Sequence, residues 1–453
     1  MNRKDLEFIL KNGEGQFTEF KESFDKSISR EIVAFANSSG GKIFLGIDDA
    51  GKVKGIESSN TLKSQIYDIA KNCDPPIKIS IEEFENVLIV NVEEGNDKPY
   101  ACSQGFYVRN GPNSQKLSRD EIIAFSIEEG KISFDEQVNA SFKFEEDFDE
   151  GKLDEYLRIS GLTKNLPAKE ILFNIKAAKI VGSEFKLNNT GVLFFAKNPG
   201  KFFINSKVVC VTYRTNEKVD ILDKKVFDDG VVGNIREAIN YVKRHVDVRF
   251  EIKTARRREI PQFPEDAYRE SIVNAVMHRD YFEKSGDVLI EVFRNKLIIS
   301  NPGGLVKWLK PEDFGKYSRP RNQTIADLLS KTEYVEKVGS GINRIRTSMK
   351  ESGLPDPIFD YNFSFSTTLL DETGGTGTVE KTREKTREKT REKILRLITE
   401  NRGITVAELA GKTGISKKGI EWNIDRLKAS GKLRRIGPDK GGHWEIPEGK
   451  DEK

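Results

Sequence analysis

Tyr268-Arg-Glu-Ser-Ile-Val-Asn-Ala-Val-Met-His-Arg-Asp-Tyr281, followed by two short apolar runs and then Ser300-Asn-Pro-Gly-Gly304, decides how the rest of the chain is read. Glu270, Asn274 and His278 recur every four residues, so on a helix they form one polar row, while Ile272, Val273, Val276 and Met277 cover the opposite side. Polar rows are common on surface helices. This one combines a carboxylate that can polarise water, an amide oxygen that can ligate Mg²⁺ and an imidazole. Residues 288–293 and 296–300 read as strands joined at Arg294-Asn295. Pro302-Gly-Gly304 follows, and Gly339-Ser-Gly-Ile342 opens a later helix, where bare amides can face phosphate. The competing reading is a polar row that merely solvates a helix face, with glycines that only turn the chain.

In this order the segments resemble the GHKL ATPases, the family of gyrase, histidine kinases and MutL. The helix is similar to that family's N box, residues 300–304 to its first glycine box and residues 339–342 to its second. Glu-Ser-Ile-Val-Asn-Ala-Val-Met-His-Arg-Asp-Tyr with Asn-Pro-Gly-Gly and Val-Glu-Lys-Val-Gly-Ser-Gly-Ile most resembles the divergent branch often labelled RecG-like helicases or transcriptional regulators. The resemblance implies Glu270 as general base, Asn274 as Mg²⁺ ligand, and ATP contacts from Asn274, His278, Ser300, Asn301, Gly303, Gly304, Gly339 and Gly341. One departure concerns the Asp that normally starts the first glycine box and pairs with the adenine amino group. Its matching position here is read as Ser300, and a hydroxyl discriminates bases less well than a carboxylate. A helicase is not expected, because the chain lacks the Gly-x-x-x-x-Gly-Lys-[Ser/Thr] loop that a RecG-type motor requires.

The 453 residues suggest several domains, and 36% hydrophobic content suffices for packed cores. Basic and acidic side chains number 75 and 72, so only local charge can name a partner. Cys73, Cys102 and Cys210 lack metal-type spacing and read as reduced thiols of a cytoplasmic protein. No run of ~18 apolar residues is present and the start is polar, so neither membrane insertion nor secretion is expected.

Residues 1–130 form the first expected unit. A helix at 29–37, a break at Gly40-Gly41, a strand at 42–48 and a turn at Asp49-Ala-Gly51 suggest a helix followed by a hairpin. A helix at 60–72 and strands at 78–80, 87–92 and 105–109 complete the pattern. Glu19-Phe-Lys-Glu-Ser23, Ala34-Phe-Ala-Asn-Ser-Ser-Gly-Gly41 and Leu45-Gly-Ile-Asp-Asp49 resemble the AlbA_2, or Schlafen-type, domain. That resemblance implies nucleic acid, DNA or RNA, as a partner. Schlafen nucleases use two Glu five residues apart and an Asp after the strand, and Glu14, Glu19 and Asp49 fall at corresponding positions. Converging carboxylates can hold Mg²⁺ or Mn²⁺ and activate water. Against this, Asp49 suits its turn for backbone reasons and Glu19 has Lys21 nearby. Arg109, Lys116 and Arg119 are further candidates for nucleic-acid contact.

A middle α/β region, 131–250, leads into the ATPase segment, 251–370. Residues 190–196 and 208–213 read as buried strands, and 233–248 as a helix with Ile235, Ile239, Val242 and Val246 inward. Within 305–335, the expected nucleotide lid, Arg321-Asn322 resembles the family's Arg-Asn motif. Two readings stand there: Arg321 meets phosphate, or Arg321 and Asn322 cap the helix that begins near Thr324.

Residues 371–391 read as a Gly/Thr-rich hinge followed by three Glu-Lys-Thr-Arg repeats from Glu380 to Arg391, a semi-rigid spacer. Residues 392–448 then show three helices and a hairpin. Thr405 and Glu408 form a capping box, Ser416 caps the third helix, and Ile420, Ile424 and Leu427 face inward. This is the layout of a winged helix-turn-helix, with Lys417, Lys418, Asn423 and Arg426 outward on the third helix and Arg434 and Arg435 on the wing as DNA contacts. Fourteen Lys or Arg against eight Asp or Glu between 391 and 450 give this segment a local +6, whereas the whole chain is +3.

The expected architecture is α+β and multidomain: an AlbA_2-type α/β domain, a GHKL α/β sandwich and a C-terminal winged helix. The expected function is an ATP- and Mg²⁺-dependent DNA-binding protein, a homo-oligomeric transcriptional regulator by resemblance. A metal-dependent nuclease using Glu14, Glu19 and Asp49, and a scaffold that binds no nucleotide, are the alternatives.

Overall fold

The computed structural model describes residues 1–252, 257–307, 309, 311–317, 320–335, 341–362, 364–373, 391, 393–413, 415, 417–429, 432–436 and 443–446, with the side chains at 249–252, 257–259, 417, 418 and 429 left aside. Gly339, Gly414, Ser416 and the repeat through residue 390 therefore lie outside the described residues. The chain divides into two compact units, Met1–Ser133 and Phe134–Lys453.

In the first unit the order is α1 (Arg3–Asn12), β1 (Thr18–Lys21), α2 (Ile28–Ala36), β2 (Gly41–Leu45), α3 (Asn60–Lys71), β3 (Ile79–Phe84), β4 (Val87–Val92), β5 (Ala101–Cys102), β6 (Gly105–Asn110), β7 (Asn113–Lys116) and α4 (Arg119–Glu128). Strands β1-β2-β4-β3 form one sheet, parallel at β1/β2 and antiparallel elsewhere, and β5-β6-β7 form another. Nearly every residue of α2 is buried because it packs against both β4 and β6. Its end is fixed by Gly40, whose φ of +73° lets its amide donate to Phe35 O at 3.0 Å. The expected hairpin after β2 reduces to a single bridge, Ile47 to Val53, and the carboxylate that builds its turn belongs to Asp48 rather than Asp49.

The second unit begins with α5 (Phe144–Asp147), α6 (Glu150–Ser160), α7 (Ala168–Asn174), β8 (Ala178–Val181), β9 (Glu184–Leu187) and α8 (Asn189–Phe195). The stretch 190–196, expected as a strand, is this last helix. Asn188 caps it by accepting the Gly191 amide at 2.9 Å, and every residue of it is buried, so its sequence carries no amphipathic period to distinguish it from a strand.

Then come β10 (Val208–Tyr213), β11 (Ile221–Phe227), α9 (Gly230–His245), β12 (Val248–Ile252), β13 (Arg257–Pro261), α10 (Glu265–His278), β14 (Val288–Val292), β15 (Lys296–Pro302), α11 (Gln323–Leu329), α12 (Gly341–Glu351), β16 (Ile358–Asp360) and β17 (Ser364–Leu370). A six-stranded mixed sheet runs β11-β10-β14-β15-β17-β16, with β10/β14 its one parallel pair. Residues of α9 and α10 share one core with Val208, Cys210, Ile290, Leu297 and Ile299, so both helices lie on a single face of the sheet. That core runs from Phe142 to Leu369, joining the middle region and the ATPase segment. Val211, Tyr213 and Phe293 form a small separate cluster with Leu289 and Ile298 on the other face.

The C-terminal module has its own core of Ile394, Ile398, Leu409, Ile420, Ile424, Leu427 and Trp444. A helical run at 393–400 precedes α13 (Val406–Thr413) and α14 (Lys417–Ala429), and β18 (Arg434–Ile436) pairs antiparallel with β19 (His443–Glu445). The Thr405/Glu408 capping box is present, with Glu408 N donating to Thr405 Oγ1 at 3.2 Å and Thr405 N to Glu408 Oε2 at 2.9 Å.

Candidate functional site

Helix α10 presents the polar row, but not to open solvent. Glu270 is buried at 6% exposure, Asn274 and His278 are half-buried, and Ile272, Val273, Val276 and Met277 are buried beneath them. The cover is α12, which packs along α10. Arg344 of α12 ion-pairs with Glu270, Nη1 to Oε2 at 3.0 Å. Gly341, the first residue of α12, has no room for a side chain: a Cβ there would stand 2.3 Å from Glu270 Oε1 and 3.2 Å from Asn274 Nδ2. Two segments about seventy residues apart in sequence are thus brought into contact at the carboxylate and the amide singled out by spacing.

The first glycine segment leaves the same sheet. Along β15 the side chains alternate, so Leu297, Ile299 and Asn301 share the helix-covered face while Ile298 and Ser300 face the other way. Ser300 lines an open groove of about 740 Å³ with Val209, Lys224 and Leu289, a groove that Asn301, Gly303 and Asp280 also border. The residue directed to the α10 side is Asn301, 1% exposed, whose Oδ1 is buried with no hydrogen-bond partner while Nδ2 donates to Pro302 O at 3.0 Å. An orphaned buried acceptor is costly unless a ligand or water meets it. Gly303 follows with φ +91°, a conformation that disfavours a side chain, and a Cβ on it would stand 2.7 Å from that of Asp280.

Arg321 and Asn322 lock this turn to the end of α10. Arg321 pairs with Asp280 at 3.1 Å and donates to Gly304 O at 2.8 Å, and Asn322 Nδ2 donates to Met277 O and Arg279 O, both at 2.8 Å. The cap expected from Asn322 is therefore on the preceding helix, not on α11. The α11 amide at Thr324 is taken instead by the fully buried Asp135, at 2.6 Å. Burial pushes the His278 imidazole down to about 4, and the neighbouring Arg321 guanidinium adds to the drop, so this histidine is neutral at pH 7 and can accept a hydrogen bond.

Of the N-terminal carboxylates, Glu19 is committed to packing. Arg109, whose side chain is fully buried, places Nη2 2.7 Å from Glu19 Oε2 and Nη1 3.3 Å from Glu31 Oε2, and Lys21 also pairs with Glu19. Arg109 further donates to Gly15 O and Thr18 O, both at 2.9 Å, so it is an internal tie and not an exposed nucleic-acid contact. Glu14 accepts the Phe20 amide at 2.9 Å; burial raises its carboxyl, and the charges of Glu19 and Asp49 add to the rise. Among the described residues no group of three or more His, Cys, Asp or Glu is arranged to hold a metal ion.

On α14, Arg426 is exposed as expected, but Asn423 is buried at 8% and its Nδ2 donates to Gly419 O at 2.7 Å. Its neighbour Trp422 is 41% exposed on the outer surface. Arg434 is exposed on β18, and Arg435 lies over the Trp444 ring, 4.6 Å from its centroid. Lys417 and Lys418 begin α14, with side chains outside the described set.

Residues 14–118 match the family model Schlafen, AlbA_2. Residues 286–369 match HATPase_c_4, described as "Putative ATP-dependent DNA helicase recG C-terminal", a span that includes the first glycine segment but not α10. Residues 387–434 match a winged helix-turn-helix DNA-binding model. No curated protein matches the chain. The crystal structure of the DIP2311 protein from Corynebacterium diphtheriae aligns at 18% identity over 95% of this chain and 92% of that one, with a TM-score of 0.44. No helix among the described residues is long and apolar enough to cross a membrane. In order along its length, the chain carries a Schlafen-type AlbA_2 domain, an ATPase-like domain of the HATPase_c_4 family that points to ATP binding, and a winged helix that points to DNA binding.

Proposed function

We propose that this is a nucleotide-controlled DNA-binding protein, a transcriptional regulator in which ATP bound beside α10 changes how the winged helix engages DNA. The observation that carries the reading is the contact of Gly341 with Glu270 and Asn274, which unites the polar-row helix and the second glycine segment in one place. Asn301, with its buried partnerless oxygen on the same face of the sheet, supports a base-recognition role there. It would take the role first read for Ser300. Glu270 would orient the attacking water, and Asn274 would offer its amide oxygen to Mg²⁺. The ion's remaining ligands would come from nucleotide phosphates and water, since Mg²⁺ commonly keeps few protein ligands. A bound nucleotide would bring phosphate charge next to Arg344 and the α12 N-terminus, so α12 is the element whose position it biases.

Homo-oligomerisation and RNA binding by the AlbA_2 domain belong to the same proposal. For regulation, ATP must favour one DNA-binding geometry over another; equal affinity for both shifts nothing. The test is a DNA titration with and without a non-hydrolysable ATP analogue. Different isotherms are expected, and superimposable ones would refute the coupling.

A further inference from the structure

Helix α14 buries Ile420, Asn423, Ile424 and Leu427 and turns Glu421, Trp422, Asp425, Arg426 and Lys428 outward. An outward tryptophan is unusual on such a helix, and this one is flanked by charge. Arg391 and Arg426 place their guanidinium carbons 5.9 and 5.5 Å from the Trp422 ring centroid. Arg391 Nε is buried and has no hydrogen-bond partner.

The module contains its own comparison. Trp444 also carries two cations, Arg435 at 4.6 Å and Lys428 at 5.5 Å, but it is 6% exposed and its indole nitrogen donates to Ile404 O at 3.0 Å. Trp444 therefore serves the core, where its polar atom and its faces are both used. Trp422 has comparable cations without comparable burial. Two guanidinium groups gain from the face of one indole yet repel each other, and an anion placed between or above them relieves that repulsion. Acidic side chains share the surface, but Asp425 is already paired with Lys428 at 3.7 Å. Arg391 is also the last residue of the Glu-Lys-Thr-Arg repeat, so the linker itself delivers one of the two cations.

We infer that Arg391, Trp422 and Arg426 form a phosphate-contact site for duplex DNA, in which the indole holds both guanidinium groups ready for the DNA backbone. The inference rests on the DNA-binding reading and adds to it a residue from the linker and an aromatic platform on the third helix. The arginines supply charge-assisted contacts that carry no base information, and Trp422 limits how many arrangements each guanidinium samples before binding.

The experiment uses the full-length chain and a fluorescein-labelled mixed-sequence duplex, with anisotropy titrations at several salt concentrations. For each DNA phosphate that a variant no longer neutralises, the slope of log affinity against log salt becomes shallower by about 0.9. Arg391→Gln and Arg426→Gln should each show that change, Trp422→Ala should weaken binding roughly tenfold, and Trp422→Phe, which keeps a ring face, should weaken it less. Thermal unfolding of each variant establishes that the module remains folded, and if Trp422→Ala does not fold, the slopes of the two Gln variants decide. Slopes identical to wild type in both Gln variants would overturn the site while leaving DNA binding intact. A wild-type chain that leaves the duplex unbound would overturn the DNA-binding reading and this inference with it.

Discussion

Arg344 Nη1 lies 3.0 Å from Glu270 Oε2, so the carboxylate at the head of the polar row is held by a cation from α12, the helix that begins at Gly341 of the second glycine segment. Both side chains are largely out of water, at 20% and 8% exposure, so their attraction is weakly screened. A double-mutant cycle on Glu270→Gln and Arg344→Gln should return a coupling of about 1–3 kcal/mol in urea denaturation. Additive losses would mean that the pair does not hold α12 against α10.

Asn301 and Ser300 make opposite predictions although they are neighbours. Both residues line the open groove, but Asn301 lies on the helix-covered face of β15 with a partnerless buried oxygen and Ser300 does not, so Asn301→Ala should weaken ATP binding by about tenfold or more and Ser300→Ala should leave it unchanged. Calorimetric titration of both variants decides it, and the reverse ranking would restore Ser300 to the base-recognition role.

The sequence spacing that revealed Glu270 and Asn274 is local, and local periodicity survives folding: the apolar side of α10 is buried as read. The AlbA_2 text and the capping box of the winged helix were legible because they too are local. What could not be read was direction. Ser300 and Asn301 differ only by the parity of β15, which the sheet register sets, and the all-buried run at 190–196 carries no period to tell helix from strand. Nor does the sequence disclose partners far along the chain, such as Asp135 reaching the α11 amide or Arg109 reaching Glu19 and Glu31. Asn423, expected outward, is buried because its side-chain amide finds a backbone carbonyl one turn back.

Arg109 is the internal cation of the AlbA_2 domain. Its replacement by Leu removes the cation paired with Glu31 and leaves Glu19 with only the partly exposed Lys21, and about 3–5 kcal/mol of stability in the first unit should be lost. Chemical denaturation of the variant measures this. A loss under ~1 kcal/mol would show that the cluster is solvated and that Glu19 remains free for other work.

His278 gives a pH signature. With its folded value pushed down to about 4, the unfolded chain, near the ordinary 6.5, binds the extra proton between those two values. Its contribution is therefore complete above pH 6.5 and is lost as pH falls toward 4. Comparing urea midpoints at about pH 5 and about pH 7.5, the wild-type chain should lose more stability on acidification than His278→Gln. Equal losses would place the imidazole in a solvated environment.

The most direct test of the central claim is calorimetric titration of Mg²⁺ and ATP into the wild-type chain and into Asn274→Ala, with thermal unfolding to establish that both are folded. The account predicts ATP binding to the wild-type chain that is lost in Asn274→Ala. Equal binding to both, or no binding to the wild-type chain, would contradict a nucleotide site beside α10.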